Sequence, residues 1–176
     1  MRTLMAVALA ATTGCGALDF DVTQALGEQT VKGDPIAATA GQLLSTGGLF
    51  PNPLSFDIDV QSETKAHNTG PARLLVLKSL TLEATGASPS QNFDFLDEVH
   101  VFVESRKEGS ALSKVEVATL APVPQGQSTL EFQVHPDVNL LPYVNEGTKV
   151  TTQAKARVPA KDVVFNGTAV FRVTPT

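Results

Sequence analysis

Three histidines, one cysteine and 18 acidic residues are the side chains of this 176-residue chain from which a catalytic or metal centre would be assembled. His67, His100 and His135 fall in separate stretches. A catalytic base needs a nucleophile and an orienting third group within hydrogen-bond reach. His67 precedes the turn sequence Asn68-Thr69-Gly70-Pro71 and His135 precedes Pro136, and none of the three has an acidic residue at a telling spacing. Each is therefore expected as a surface residue, with no two sharing a metal or a carboxylate. No Gly-x-Ser-x-Gly elbow occurs, nor a phosphate-binding glycine loop between a strand and a helix. Glu98, His100 and Glu104 would share one face of a strand, but a single strand does not converge three ligands on a tetrahedral ion, which argues against zinc. Asp57 with Asp59, Asp19 with Asp21, and Asp94 with Asp97 supply oxygens for calcium, yet none matches an EF-hand or a nonapeptide repeat. They are expected to be solvated or to cap turns. No catalytic residue, cofactor site or metal ligand is assigned, and the chain is not expected to be an enzyme.

The lone cysteine, Cys15, rules out an internal disulfide. It follows Met1, Arg2, an apolar run from Leu4 to Ala11 and then Thr12-Thr13-Gly14. One positive charge, a short apolar stretch and small residues after it make a secretory signal peptide. The run is far short of the ~20 residues that span a bilayer. Thr12-Thr13-Gly14-Cys15 resembles the bacterial lipobox, which implies a signal over residues 1–14 and Cys15 as the mature N-terminus carrying the lipid. Two or more acyl chains anchor stably where one does not. Gly16 rather than Asp after the cysteine implies, by the same resemblance, the outer membrane. The alternative is removal by ordinary signal peptidase, for which Ala8-Leu9-Ala10 or Cys15-Gly16-Ala17 would serve.

Behind this leader, residues 15–176 are expected to form one domain of strands separated by turns. Strand expectations rest on alternation of apolar and polar residues. A first strand starts near Asp19-Phe20-Asp21-Val22. A second covers Leu54–Ser62, with Leu54, Phe56, Ile58 and Val60 on the inner face and Ser55, Asp57, Asp59 and Gln61 outside. Leu74–Ala84 is apolar in both phases, which predicts a central strand with a bulge near Lys78-Ser79. Val99, Val101 and Val103 face inward, as do Val115 and Val117, then Leu130, Phe132 and Val134. A strand over 150–158 follows, and the last, 163–173, is broken by Asn166-Gly167 as a hairpin turn or a bulge. One helix is predicted from Asp34 as N-cap and Pro35 at its first position, burying Ile36, Ala40, Leu43 and Leu44 and ending at Gly47-Gly48. Leu140–Tyr143 makes a further single turn, and Tyr143 is placed like a tyrosine corner. The fold class is thus all-β: an antiparallel β-sandwich, Ig-like or Greek-key, of about eight strands with one short helix, a seven-stranded barrel being the alternative.

Apolar residues make up 42% of the chain and charged ones 18%, which excludes a disordered chain. A formal charge of −5 argues against nucleic acid as a partner. From Asp19 to Glu104 there are 12 acids and 4 bases, and from Ser105 to Thr176 8 bases and 6 acids, so the halves differ in sign. That asymmetry reads either as a docking face or as strands that interleave in space. The string Asn92-Phe93-Asp94-Phe95-Leu96-Asp97-Glu98-Val99-His100-Val101-Phe102-Val103, then Val117-Ala118-Thr119-Leu120, then Asn139-Leu140-Leu141-Pro142-Tyr143, resembles uncharacterised bacterial envelope lipoproteins. The resemblance implies the sandwich and the envelope address, and no chemistry. The expected function is a non-catalytic, membrane-anchored module that binds other envelope proteins or supports an assembly. The alternative is a carrier holding a lipid or small apolar ligand between its sheets, which would need a cavity there.

Overall fold

The computed structural model describes residues 19–44, 56, 58–86 and 91–176. Strands β1 (Phe20–Val31), β2 (Ala72–Ala84), β3 (Leu96–Ser105), β4 (Val115–Leu120), β5 (Thr129–Glu131), β6 (Gln133–Val134), β7 (Thr148–Ala156) and β8 (Val163–Pro175) form two antiparallel four-stranded sheets. Three short helices accompany them: α1 (Pro35–Thr39), α2 (Val60–Ala66) and α3 (Leu141–Glu146). The sheet orders are β1-β8-β2-β5 and β6-β4-β3-β7. The first strand pairs with the last, the second with the fifth and the third with the fourth. An isolated bridge from Leu43 to Arg157 sets the connection after β1 beside the end of β7. The chain is therefore one long antiparallel hairpin, with its tip between β3 and β4, wound over two sheets. The expected eight-stranded Greek-key sandwich forms, and this nesting of pairs is the jelly-roll variety of it.

The alternating residues meet between the sheets. Val99, Val101 and Val103 are fully buried, as are Phe93, Phe165 and Phe171. Phe93 meets Phe165 edge-on at 5.6 Å, and Phe56 meets Phe171 at 5.0 Å. Of the strand residues expected inward, Phe56, Ile58, Val60, Val99, Val101, Val103, Val117, Leu130 and Phe132 are buried, Val115 and Val134 pack against the core part-buried, and Leu54 lies outside the described residues. The bulge in β2 lies at Lys78, between Leu77 and Ser79, and lets residues on either side of it face the core.

Several expectations are corrected. There is no strand over 58–62: Asp59 accepts from the Ser62 backbone N–H at 3.0 Å and starts α2 at Val60. Leu54, Ser55 and Asp57 lie outside the described residues. A good cap beside a short apolar alternation resolves as a helix because the cap satisfies free N–H groups locally. Phe56, Ile58 and Val60 stay buried without a strand. Helix α1 has the predicted Asp34 cap, which accepts from Ile36 and Ala37, but it stops after Thr39 with Gly41 at φ +65°. It buries Ala37, whereas Ile36 and Leu43 are 83% and 67% exposed. Gly47-Gly48 is outside the described residues. Strand β8 is unbroken: Gly167 sits mid-strand, where a Cβ would come 2.7 Å from Leu82 and 3.0 Å from Leu26. The bulge is on the neighbouring strand, at Gly27-Glu28 of β1. In β4, Val117 and Ala118 are both buried, because a bulge against β3 breaks the alternation. The 130–134 strand is two strands, and it changes sheets at Phe132.

Candidate functional site

The histidines occupy three unrelated settings. His67 caps the C-terminus of α2 and stacks on Phe20 at 3.9 Å. His135 follows β6, and its Nε2 is buried without a partner among the described residues. His100 stands on the outer face of β3. Its Nδ1 lies 2.7 Å from Glu116 Oε1 and 3.2 Å from Thr119 Oγ1. This acidic partner escaped sequence reasoning. It lies 16 residues away on β4, and the β4 bulge turns Glu116 onto the outer face opposite Phe102. Only the strand register could have signalled it. Beside the pair, Phe102 stacks on His100 at 6.3 Å and Lys114 Nζ lies 4.7 Å from the Phe102 ring centre. The other carboxylates of the β3 face go elsewhere: Glu104 pairs with Lys149 at 2.8 Å, and Glu98 sits opposite Lys155 on β7.

The aspartates serve local structure. Asp59 caps α2 and is exposed. Asp21 lies between Lys78 Nζ at 2.5 Å and Arg172 Nε at 3.0 Å, and these cations hold its carboxyl below the usual range, Lys78 foremost. Asp94 accepts from the Gly126 N–H and from Asn92 Nδ2, and Asp97 faces Arg157 at 3.3 Å. Tyr143 is buried in α3, and its hydroxyl donates to the Ser113 carbonyl at 2.7 Å. It ties the helix to the β3–β4 loop, a tyrosine-corner role with a distant partner. Among the described residues no group of three His, Cys, Asp or Glu is placed to hold a metal. Cys15 lies outside them.

Two open grooves mark the ends of the sandwich. One, about 430 Å³, lies between α2 and α3 with Val60, Pro71, Ala72 and Leu141 on its floor and Lys65 at its rim. This is the end at which β1 begins. The other, about 360 Å³, lies at the opposite end, below α1. Its floor is Phe95, Val158, Pro159 and Val163, and its walls carry Arg157, Lys161, Asp94 and Asp162. The segment 34–44 beside it is stitched to residues 156–159, which follow from the end of β7, by three backbone bonds: Asp34 N to Pro159 O, Val158 N to Gln42 O and Leu44 N to Ala156 O, at 2.8, 2.8 and 2.9 Å. Ile36 and Leu43, the large apolar side chains exposed on the described residues, both belong to that segment.

The charge asymmetry along the chain resolves into contacts between strands. Among the described residues, Asp21–Arg172, Asp97–Arg157, Glu104–Lys149 and Lys32–Asp162 are ion pairs that join the acidic first part to the second, and the His100–Glu116 contact joins them too.

No family model matches the chain, and no curated protein does. Among solved structures the chain is similar to the BFDV capsid protein in its decameric crystal structure, at 12% identity and a TM-score of 0.44, over 89% of this chain and 97% of that one.

Proposed function

We propose that this chain is a non-catalytic lipoprotein of the bacterial envelope, held at the outer membrane through an acylated Cys15 and binding other envelope proteins. The observation that carries this reading is the placement of Ile36 and Leu43. They are exposed on a segment clamped by backbone hydrogen bonds, so their display does not come from a loose loop. A contiguous exposed apolar patch marks an interaction site, and this reading takes Ile36 and Leu43 together with the apolar lining of the groove beside them as that patch. They also follow the far end of β1, whose length from Phe20 to Val31 is about 35 Å at the rise of a strand. A tether at Cys15, five residues before Phe20, leaves that end pointing away from the bilayer. Protein binding is favoured over carriage of an apolar ligand because Phe56, Phe93, Phe165 and Phe171 occupy the space between the sheets.

In its host the protein is expected in the membrane fraction, and Cys15→Ser is expected to release it and to remove the lipid mass. An unmodified chain beginning at Leu18, seen by intact-mass measurement, rejects the anchor. For the binding role, Ile36→Ser with Leu43→Ser is expected to abolish cross-linking to the envelope proteins captured by the unaltered chain. Unchanged capture rejects it.

A further inference from the structure

We infer that the loop between β3 and β4, residues 106–114, is a strap latched by Glu146, and that a proton on the latch opens the strap as a unit while the sandwich stays folded. The inference goes beyond the binding role and does not depend on it.

The strap has little apolar surface to hold it. Residues 106–109, 111, 113 and 114 are exposed, and Leu112 is its one large apolar side chain, packed part-buried on the core. What fixes it is a single carboxylate. Ser105 Oγ and Ser110 Oγ donate to Glu146 Oε2 at 2.8 and 2.6 Å, and Lys107 Nζ lies 3.5 Å from Oε1. Each serine is in turn an acceptor for the strap's own backbone. Lys107 N–H donates to Ser105 Oγ and Leu112 N–H to Ser110 Oγ, both at 3.0 Å. The carboxylate thus holds both hydroxyls, and through them both bends of the strap. Two further ties flank it: Arg106 N–H donates to the Gly147 carbonyl at 2.8 Å, and the Tyr143 hydroxyl donates to the Ser113 carbonyl at 2.7 Å. All these partners sit on residues 143–147, in α3 and at its end. Helix α3 is itself rooted in the core through Leu140 and Tyr143, and Leu140 N–H donates to the Leu75 carbonyl at 2.7 Å.

A segment held by a few polar contacts opens at lower cost than the core beneath it. Hydrogen bonds to an ionised acceptor are roughly twice as strong as neutral ones, so one proton on Glu146 weakens all three contacts together. The charged groups toward this end of the elements packed on α3 are Lys107 with Arg106 and Glu108 on the strap, the Glu104–Lys149 pair of β3 and β7, closed at 2.8 Å, and Arg73 and Lys78 on β2. Of these, Lys107 acts on the carboxyl, after the hydroxyls of Ser110 and Ser105, and together they hold it below the usual carboxylate range. The latch is therefore complete above the unfolded pKa of the carboxyl and is lost as pH falls through the lower folded value. Opening takes Leu112 off the core and frees the Tyr143 hydroxyl, so the open form presents an apolar edge that the closed form hides.

The test is amide hydrogen exchange of the full-length protein in detergent, read on fragments that cover the strap and, separately, β3 and β7. Four strap amides are hydrogen-bonded, those of Arg106, Lys107, Ser110 and Leu112. At neutral pH Glu146→Gln is expected to speed their exchange about tenfold or more, the equilibrium change of losing one charge-assisted hydrogen bond, and to leave β3 and β7 as they were. Ser105→Ala with Ser110→Ala breaks the latch from the other side and is expected to do the same. In the unaltered protein, strap protection corrected for the intrinsic pH dependence of exchange is expected to fall below about pH 4, before that of β3 and β7. In Glu146→Gln it is expected to be low throughout. Strap exchange unchanged in Glu146→Gln overturns the inference. So does an equal rise in β3 and β7, because the strap then opens only with the sandwich. An acid fall as steep in Glu146→Gln as in the unaltered protein overturns it too, since another group is then the one that titrates.

Discussion

Among single residues, the carboxylates say most about this protein, because they form cross-strand ties and caps. Asp21, Glu104 and Asp162 are held below the usual carboxylate range chiefly by the cation each accepts from: Lys78, Lys149 and Lys32. Glu146 is lowered first by the hydroxyls of Ser110 and Ser105. A carboxyl whose folded pKa lies below its unfolded value stabilises the fold above the unfolded pKa, and that contribution is lost as pH falls through the folded value. Thermal stability is therefore expected to fall below about pH 4, where unfolded carboxyls begin to bind protons. Asp21→Asn is expected to be less stable at pH 7 and to show a shallower acid limb. Its midpoint followed from pH 7 to pH 3 checks this, and a curve parallel to that of the unaltered protein rejects it. Tyr143→Phe removes the hydroxyl that donates to the Ser113 carbonyl. It is expected to cost about 0.5–1.5 kcal/mol in urea unfolding. A loss near zero would mean that water replaces the bond without penalty.

The elements are shaped by bulges and by one glycine. Sheet β1-β8-β2-β5 keeps its apolar residues on the core face only because β1 and β2 each carry a bulge against β8. At the first of these, Leu26 of β1 and Leu82 of β2 close over Gly167 from either side. Gly167→Ala places a methyl 2.9 Å from the Thr81 carbonyl oxygen as well as against both leucines. Overpacking of this kind is expected to cost about 1–3 kcal/mol. Leu26→Ala in the same chain is expected to recover part of that, measured as a coupling in a double-mutant cycle. At the other edge, Phe132 is the residue about which the chain passes from β5 to β6. Its truncation to Ala removes a buried ring that serves both sheets and is expected to cost about 3–5 kcal/mol. A loss below about 1 kcal/mol would place that ring outside the core.

At the scale of the whole molecule, the two sheets share one buried cluster, running from Leu26 and Val31 of β1 to Phe165, Phe171 and Val173 of β8. Neither sheet has an apolar face of its own to keep if the other leaves. Urea unfolding followed by far-ultraviolet circular dichroism and by tyrosine fluorescence of Tyr143 is expected to give one coincident transition. Separate midpoints would divide the chain into independent units. The winding puts the start of β1 at one end of the sandwich and the 34–44 segment with its groove at the other.

Local pattern was enough for what period and caps encode. Alternation at Val99, Val101 and Val103 identified β3 and its buried face, the double phase of 74–84 identified a central strand with its bulge at Lys78, and Asp34-Pro35 marked the start of α1. These are interactions between neighbours a few residues apart, so spacing carries them. Tertiary structure decided whatever depends on which strands meet. The pairing of His100 with Glu116, the pairing of Arg157 with Asp97 and the close packing at Gly167 all follow from strand register or from contacts between segments distant in the chain. The exposure of Ile36 and Leu43 belongs here too, since the amphipathic spacing predicts them inward and the backbone bonds to 156–159 turn that segment along the strand instead. A one-residue bulge shifts every later side chain to the other face, and nothing in the spacing of Val115–Leu120 marks the bulge in β4.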